Sequence, residues 1–407
     1  MEFLHELAIA AIMKDEGHYL KEWLDFHLLA GVTHFYLYDN GSTDNTKEIL
    51  QPYVARGVVT YAYRPDTCEQ IPAYRDAVRR YRFLCKYIAF LDLDEFLYAP
   101  DGRSLPEVIQ ELEDKYGDHG SFTANWCCYA SSDEKKPDYS RGVLDRFVWR
   151  ISDDHDHNKH VKSIIDPRKS GKFFTPHAPR YFIGNYGVDE DGHPVYGFFN
   201  ERRPIQKLRI NHYHVKSYAE WMERRSRNRA DLGTPVPRDL DAWFKELDCR
   251  DIHDTGILEY REARKFIPQK KDDQGQFILQ LANRVQTYLQ EQDPMDLVEL
   301  LGSIQNVCQL LPEYLDDQQV ALLAEQLMDH LYTYLSEDDL QAGDVELFLD
   351  MLPFLIPLIS QEKRSKWRRR IIILMNEVAT LENKVAHNHS QYHEYDQLAQ
   401  IFASMDR

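Results

Sequence analysis

Within its first 91 residues the chain alternates short apolar runs with segments of helical spacing, and few folds accommodate that alternation. Residues 7–13 form an apolar run that ends in Lys14-Asp15-Glu16-Gly17. From 19 to 29 the apolar residues Leu20, Trp23, Leu24 and Leu28 follow the helical period, and Gly31 ends that helix. Residues 34–38 read as a second strand, and a helix starts near Lys47. Residues 58–63 are a third strand, 71–83 a third helix and 87–91 a fourth strand. Strands alternating with helices predict a parallel sheet whose loops gather at one edge, where open α/β sheets bind their ligands.

The fourth apolar run is closed by Asp92-Leu93-Asp94-Glu95. Alternation along a strand sends Asp92 and Asp94 to the same side, so two hard oxygen ligands converge on one divalent cation. Mg²⁺ and Mn²⁺ prefer such ligands and commonly complete their shell with phosphate oxygens. An Asp-x-Asp by itself is a weak signal, because 67 acidic residues among 407 generate such triplets by chance. Its position behind a strand gives it weight. The loop Asp39-Asn40-Gly41-Ser42-Thr43-Asp44 behind the second strand has, from its residues alone, the plainer reading of a tight turn.

Together these stretches resemble a known family. Lys14-Asp15-Glu16, Leu20 with Glu22-Trp23 and His27, Gly31-Val32 and Tyr38-Asp39-Asn40-Gly41-Ser42-Thr43-Asp44 look like the start of GT-A glycosyltransferases of the family 2 and family 92 type. Gln70, Tyr74 and Arg75, then Asp92-Leu93-Asp94-Glu95-Phe96, continue the match, which thins toward residue 230. The resemblance implies a GT-A Rossmann-like nucleotide-diphospho-sugar transferase domain. It implies nucleotide-sugar contacts from Asp39, Asn40, Ser42, Gln70, Arg75 and Asp92, and Mn²⁺ (or Mg²⁺) held by Asp92 and Asp94. A late histidine often completes that metal shell, which points to His212, with His214 a close alternative and Lys162 a further basic match. From its residues alone, a strand-end histidine such as His212 is more often structural. The capping box Ser217-x-x-Glu220 starts a helix just beyond it.

Inverting transfer also needs a base near the acceptor hydroxyl. Trp126 and Tyr129 fit a family segment that precedes the acceptor site, but Ala130 stands where a glycine is expected. Asp133 and Glu134 are the base candidates. The alternative is two exposed acids in a polar Asp-Glu-Lys-Lys run, with Asp153 and Asp154 next in line as bases. The stretch 153–160 holds three histidines and three aspartates, but it lacks the spacing of a zinc motif and reads as a loop before a strand at 160–165.

Composition bounds the rest. The length suggests two domains, and a net charge of −18 excludes a general nucleic-acid binder. No apolar run approaches the ~20 residues of a membrane span, and the first residues lack a basic start followed by an apolar segment, so a cytoplasmic protein is expected. Six cysteines without paired spacing read as reduced. Behind Pro235 and Pro237 strand patterns vanish, and five helical stretches follow between 279 and 381. The expected division is a catalytic domain over 1–235 and an α-helical accessory domain over 236–407. Within the latter the basic run 363–370 beside an Ile-rich segment reads as a packed helix, with a weak peripheral membrane or protein contact as the alternative. The combined expectation is a metal-dependent, inverting hexosyltransferase that moves sugar from a UDP-sugar to a glycan such as a surface polysaccharide. Two other readings stay open: a sugar-nucleotide-binding scaffold without activity, and a metal-dependent phosphoesterase or nucleotidyltransferase.

Overall fold

The computed structural model describes residues 2–226, 239–264, 273–291, 295–336 and 340–385. The predicted boundary at 235/236 falls outside the described residues. The first part of the chain lays down β1 (His5–Met13), α1 (Gly17–Leu29), β2 (His34–Asp39), α2 (Thr46–Ala55), β3 (Val59–Tyr63), α3 (Gln70–Tyr81) and β4 (Cys85–Phe90). It continues with β5 (Glu95–Tyr98), α4 (Leu105–Tyr116) and β6 (Ser121–Cys128). Each helix turns its apolar stripe to the sheet, as Leu20, Trp23 and Leu24 of α1 do. A Ser104–Glu107 capping box starts α4.

β3, β2, β1 and β4 are parallel neighbours in a ten-stranded mixed sheet. The strand Val161–Ile165 then runs antiparallel between β4 and β6. Register aligns Met13 with Asp39 and Asp39 with Tyr63, so the loops behind β1, β2 and β3 emerge side by side. The strand Arg209–His212 pairs antiparallel with β5 and parallel with β6, which sets His212 opposite both Glu95 and Cys128.

Helix α1 anchors β5. Trp23 Nε1 donates to the Glu95 carbonyl at 2.8 Å, and His27 Nε2 accepts from the Leu97 N–H at 3.1 Å. Because that N–H can only donate, the His27 ring carries its proton on Nδ1, which donates to the Trp23 carbonyl at 2.8 Å. Burial pushes the imidazole down from its ordinary 6.5 to about 3, against the pull of that backbone bond. A depressed folded pKa means that the unfolded chain binds the extra proton, so the His27 contribution is present above pH 6.5 and is lost as pH falls toward 3. Urea unfolding is expected to show stability declining between pH 7 and 5, with a shallower slope in His27→Gln. An equal slope in that variant would assign the decline to other groups.

Beyond the undescribed stretch the chain returns to the α/β part. Ile252–His253 pairs with Trp149–Arg150, and Ile257 and Tyr260 of the helix Gly256–Ala263 join the main core. Among the described residues five α-helices follow: Asp273–Glu291, Leu297–Leu310, Asp317–Tyr334, Ala342–Leu355 and Arg364–Val385. They build their own core around Leu300, Leu327, Phe348 and Trp367, which also takes in Phe83 and Phe182 from the α/β part. The contact between the two parts has a polar component. Buried Arg82 meets Asp350 at 2.6 Å, and Gln305 Nε2 donates to the Arg79 and Arg80 carbonyls at the end of α3. In the basic run, Trp367 and Ile371 are buried and Lys363 pairs with Glu325 and Asp329, as the packed-helix reading expects. No described helix is long and apolar enough to cross a membrane. All six cysteines are unpaired.

Candidate active site

β4 stops at Phe90, so Asp92 and Asp94 stand on a tight turn and not on a strand. The turn closes when the Glu95 N–H donates to the Asp92 carbonyl at 3.1 Å. Strand alternation therefore does not orient the two carboxylates; local hydrogen bonding does, and it gives them different company. Asp92 Oδ1 accepts from Gln70 Nε2 at 3.0 Å and from the Tyr74 hydroxyl at 3.4 Å, while Oδ2 accepts from Lys162 Nζ at 2.9 Å. Asp94 Oδ2 accepts from Arg224 and lies 3.5 Å from His212 Nε2. Its Oδ1 is buried without a hydrogen-bond partner among the described residues.

Lys162 projects from the strand Val161–Ile165 with its side chain 1% exposed, and it also reaches Glu95 Oε2 at 3.3 Å. Burial works against its charge, but Asp92 and Glu95 overcome that, and its pKa is raised. Burial also pushes the Glu95 carboxyl up to about 8, against Lys162, which leaves it largely protonated at neutral pH. Burial likewise pushes Asp94 upward, but Arg224, His212 and Lys216 together hold its carboxyl well below the usual range. Asp92, Asp94 and Glu95 thus share the turn with three basic side chains, Lys162, Arg224 and Lys216.

His212 reaches this turn through the pairing of its strand with β5, and the Tyr213 N–H fixes the arrangement by donating to the Asp94 carbonyl at 2.8 Å. Burial lowers the His212 pKa against the opposing pull of Asp94 and keeps the ring in the neutral form that binds metals. Its Nδ1 has no partner among the described residues. The Ser217–Glu220 capping box forms as the sequence predicts, with Ser217 Oγ donating to Glu220 at 2.5 Å. The helix it starts, Tyr218–Ser226, carries Arg224 to Asp94. Sequence reading does not single out Arg224. Its signal is its place four residues after Glu220, on the face that the cap fixes toward the turn. Lys216 is buried as well, 3.5 Å from Glu16 Oε2, and its Nζ sits 3.9 Å over the Tyr19 ring.

Among the described residues, an open carboxylate oxygen on Asp94 beside a neutral imidazole is a donor set that suits Mn²⁺. Asp92 is less open, because both of its oxygens already accept hydrogen bonds.

Asp39 ends β2 with its carboxylate buried. Oδ1 accepts from the Ser42 N–H at 2.7 Å and Oδ2 from the Tyr61 hydroxyl at 2.7 Å. Ser42 Oγ accepts from the Asp15 N–H at 3.0 Å, and Asn40 Nδ2 donates to the Arg64 and Asp66 carbonyls at 2.7 Å each. Gly41 holds φ +78°, which favours glycine. These bonds tie the loops behind β1, β2 and β3 into one wall. Asn40 and Ser42 therefore hold the loop in place.

Two groups of sequence candidates lie apart from the turn in their contacts. Arg75 donates from Nε to the Phe173 carbonyl at 2.9 Å and stacks on Phe174, so its head group serves the strand Ser170–Phe173. Glu134 holds buried Arg146 through bonds of 2.9 and 2.7 Å, and Arg146 also reaches Glu220 at 3.0 Å. Among the described residues Asp133, at φ +65°, is paired only with Arg250, at the surface. The loop carrying both acids abuts the start of the helix Tyr218–Ser226, where the Tyr218 N–H donates to the Glu134 carbonyl at 3.0 Å. Asp153 pairs with Arg150, and the histidine-rich stretch forms a short 3₁₀ turn over Asp156–Lys159.

Residues 9–247 match the model of glycosyltransferase family 92, more than half of the 407 residues. The chain belongs to glycosyltransferase family 92. It is 29% identical over 270 residues to a family 92 protein of Ricinus communis, covering 63% of this chain and 46% of that one. It is 31% identical over 211 residues to a galactan beta-1,4-galactosyltransferase of Arabidopsis thaliana, covering 48% of this chain and 37% of the relative. The chain thus spans about half the length, or less, of the curated relatives it matches. Staphylococcus aureus TarS residues 1–349 in complex with UDP aligns over 96% of this chain and 93% of its own at 9% identity and a TM-score of 0.27, too slight a likeness to bear on fold or function.

Proposed function

We propose that the protein is a metal-dependent, inverting glycosyltransferase with a GT-A arrangement, using a UDP-sugar donor and a glycan acceptor. The observation that carries this reading is the buried Asp94–His212 pair, flanked by Asp92, Lys162, Lys216 and Arg224, at the loop edge of the mixed α/β sheet. Asp94 and His212 would hold Mn²⁺ (or Mg²⁺), with Asp92 beside them. Bound there, the metal supplies positive charge against the diphosphate as the anomeric bond breaks. Arg224 and Lys216 add cationic donors for the same phosphates, and Lys162 keeps Asp92 oriented. The wall around Asp39 receives the nucleoside. Of the two base candidates, Asp133 is the freer, because Glu134 is occupied with Arg146. The galactan galactosyltransferase relatives make galactose the first donor sugar to try.

The experiment is a panel of UDP-sugars with Mn²⁺, with and without glycan acceptors. Acceptor-stimulated UDP release supports transfer. Pyrophosphate or UMP would indicate nucleotidyl or phosphoester chemistry, and binding without turnover would indicate a scaffold. An α-linked donor should give a β-linked product, read from a large anomeric proton coupling; an α-linked product would overturn the single-displacement mechanism. Asp39→Ala should weaken UDP by about tenfold, the loss of a charge-assisted hydrogen bond, while leaving the metal requirement intact. Unchanged UDP affinity in that variant would return Asp39 to the role of a turn residue for Ser42 and Tyr61.

A further inference from the structure

Beside the carboxylate turn lies a second set of ligating atoms of different chemical character. Cys128 is the last residue of β6, and His212, the last residue of its parallel neighbour, stands opposite it in register, so both side chains leave the same face of the sheet. His214 follows two residues on. One ligand atom from each of the three lies within 4.8 Å of the others. All three residues are buried, at 1, 7 and 4% exposed. Among the described residues neither ring nitrogen of His214 has a hydrogen-bond partner, and His212 Nδ1 has none. Leaving a buried polar atom unbonded costs about 1–3 kcal/mol each, so a fully buried imidazole with two open nitrogens is a poor packing residue and a good ligand.

We propose that Cys128, His212 and His214 form a site for a thiophilic divalent cation of the Zn²⁺ class. One thiolate and two imidazoles select such an ion over Mn²⁺ or Mg²⁺, and three protein ligands leave a fourth position open. On binding, the Sγ–H bond of Cys128 breaks, the Sγ–metal bond forms and the proton leaves to the buffer; no electron is transferred. The set shares His212 with the carboxylate turn, so a soft and a hard ion draw on one imidazole. The site stands whether or not the protein transfers sugar, since the Cys128–His212–His214 geometry is read without that activity.

The test uses the full chain, stripped with chelator and kept reduced. Co²⁺ should bind with one equivalent, giving the intense visible bands of a four-coordinate ion and a near-ultraviolet thiolate charge-transfer band. Zn²⁺ should displace it where equal Mn²⁺ or Mg²⁺ does not. Cys128→Ser should remove the charge-transfer band, and His214→Ala should lower Zn²⁺ affinity by more than about tenfold. X-ray absorption at the zinc edge of the wild-type protein should show sulfur at about 2.3 Å with nitrogens at about 2.0–2.1 Å, and this measurement does not depend on how either variant folds. A shell of nitrogen and oxygen alone, or a charge-transfer band that persists in folded Cys128→Ser, would overturn the assignment.

Discussion

Asp94→Asn is expected to cut acceptor-stimulated UDP release by about 10²–10³-fold, the scale on which removal of a preorganised electrostatic group acts, while leaving the fold intact. The size of the effect follows from what Asp94 is alone in offering at the turn. It is the acid there whose carboxylate both keeps an oxygen free of hydrogen bonds and faces an imidazole. Asn preserves the shape and the carbonyl contact with Tyr213 but removes the charge that faces His212 and Arg224. Arg224 is partly exposed, at 35%, so its guanidinium can rehydrate when the carboxylate is gone, and stability should change much less than activity. Calorimetry of UDP binding in Mn²⁺ should show the same loss in Asp94→Asn as EDTA produces in the wild type. Wild-type UDP affinity that ignores EDTA would remove the metal from the reading altogether, whereas a turnover defect without a binding defect would shift Asp94 to the transition state.

The order of strands and helices is legible in the sequence because each element buries one face and so carries its own period. The spacing predicts a helix over 19–29 where α1 runs Gly17–Leu29, and a third strand over 58–63 where β3 runs Val59–Tyr63. The helical part is legible for the same reason, helped by caps such as Asp296 and Asp316. Asp92, Asp94 and His212 stand at one turn, but strand alternation does not put them there, because β4 ends at Phe90 and a turn takes over. What pattern reading misses is the identity of partners far along the chain. Lys162 meets Asp92 across 70 residues, Arg224 meets Asp94 across 130, and Arg82 meets Asp350 across 268. Glu134 shows the cost of reading locally. The run Asp-Glu-Lys-Lys looks solvated, yet Arg146, whose side chain is fully buried, draws the Glu134 carboxylate inward.

Lys162→Met is expected to lower stability by about 3–5 kcal/mol, the range for breaking a buried ion pair by removing one partner. Met keeps most of the length and the apolar stem, so packing between β4 and β6 is largely retained and the loss reports the charge. Without the ammonium, Asp92 Oδ2 and Glu95 Oε2 face one another uncompensated. Two features pull the cost toward the lower end of the range: Asp92 is 28% exposed and can take water, and Glu95, already pushed up to about 8 by burial, can stay protonated. The pH dependence has a definite sign. A raised lysine pKa contributes stability that is complete below the ordinary 10.5 and is lost only above it, so the deficit relative to wild type should include no Lys162 titration between pH 6 and 8. Urea unfolding at pH 7 measures the loss, and a cycle with Asp92→Asn isolates the pair: the double variant should be more stable than the sum of the single losses predicts, by at least about 1 kcal/mol. A Lys162→Met loss below about 1 kcal/mol with no coupling to Asp92 would mean that the ammonium is not holding the turn. Its burial beside Asp92 would then have to be explained by the donor phosphates, and UDP affinity in the same variant would be the next quantity to read.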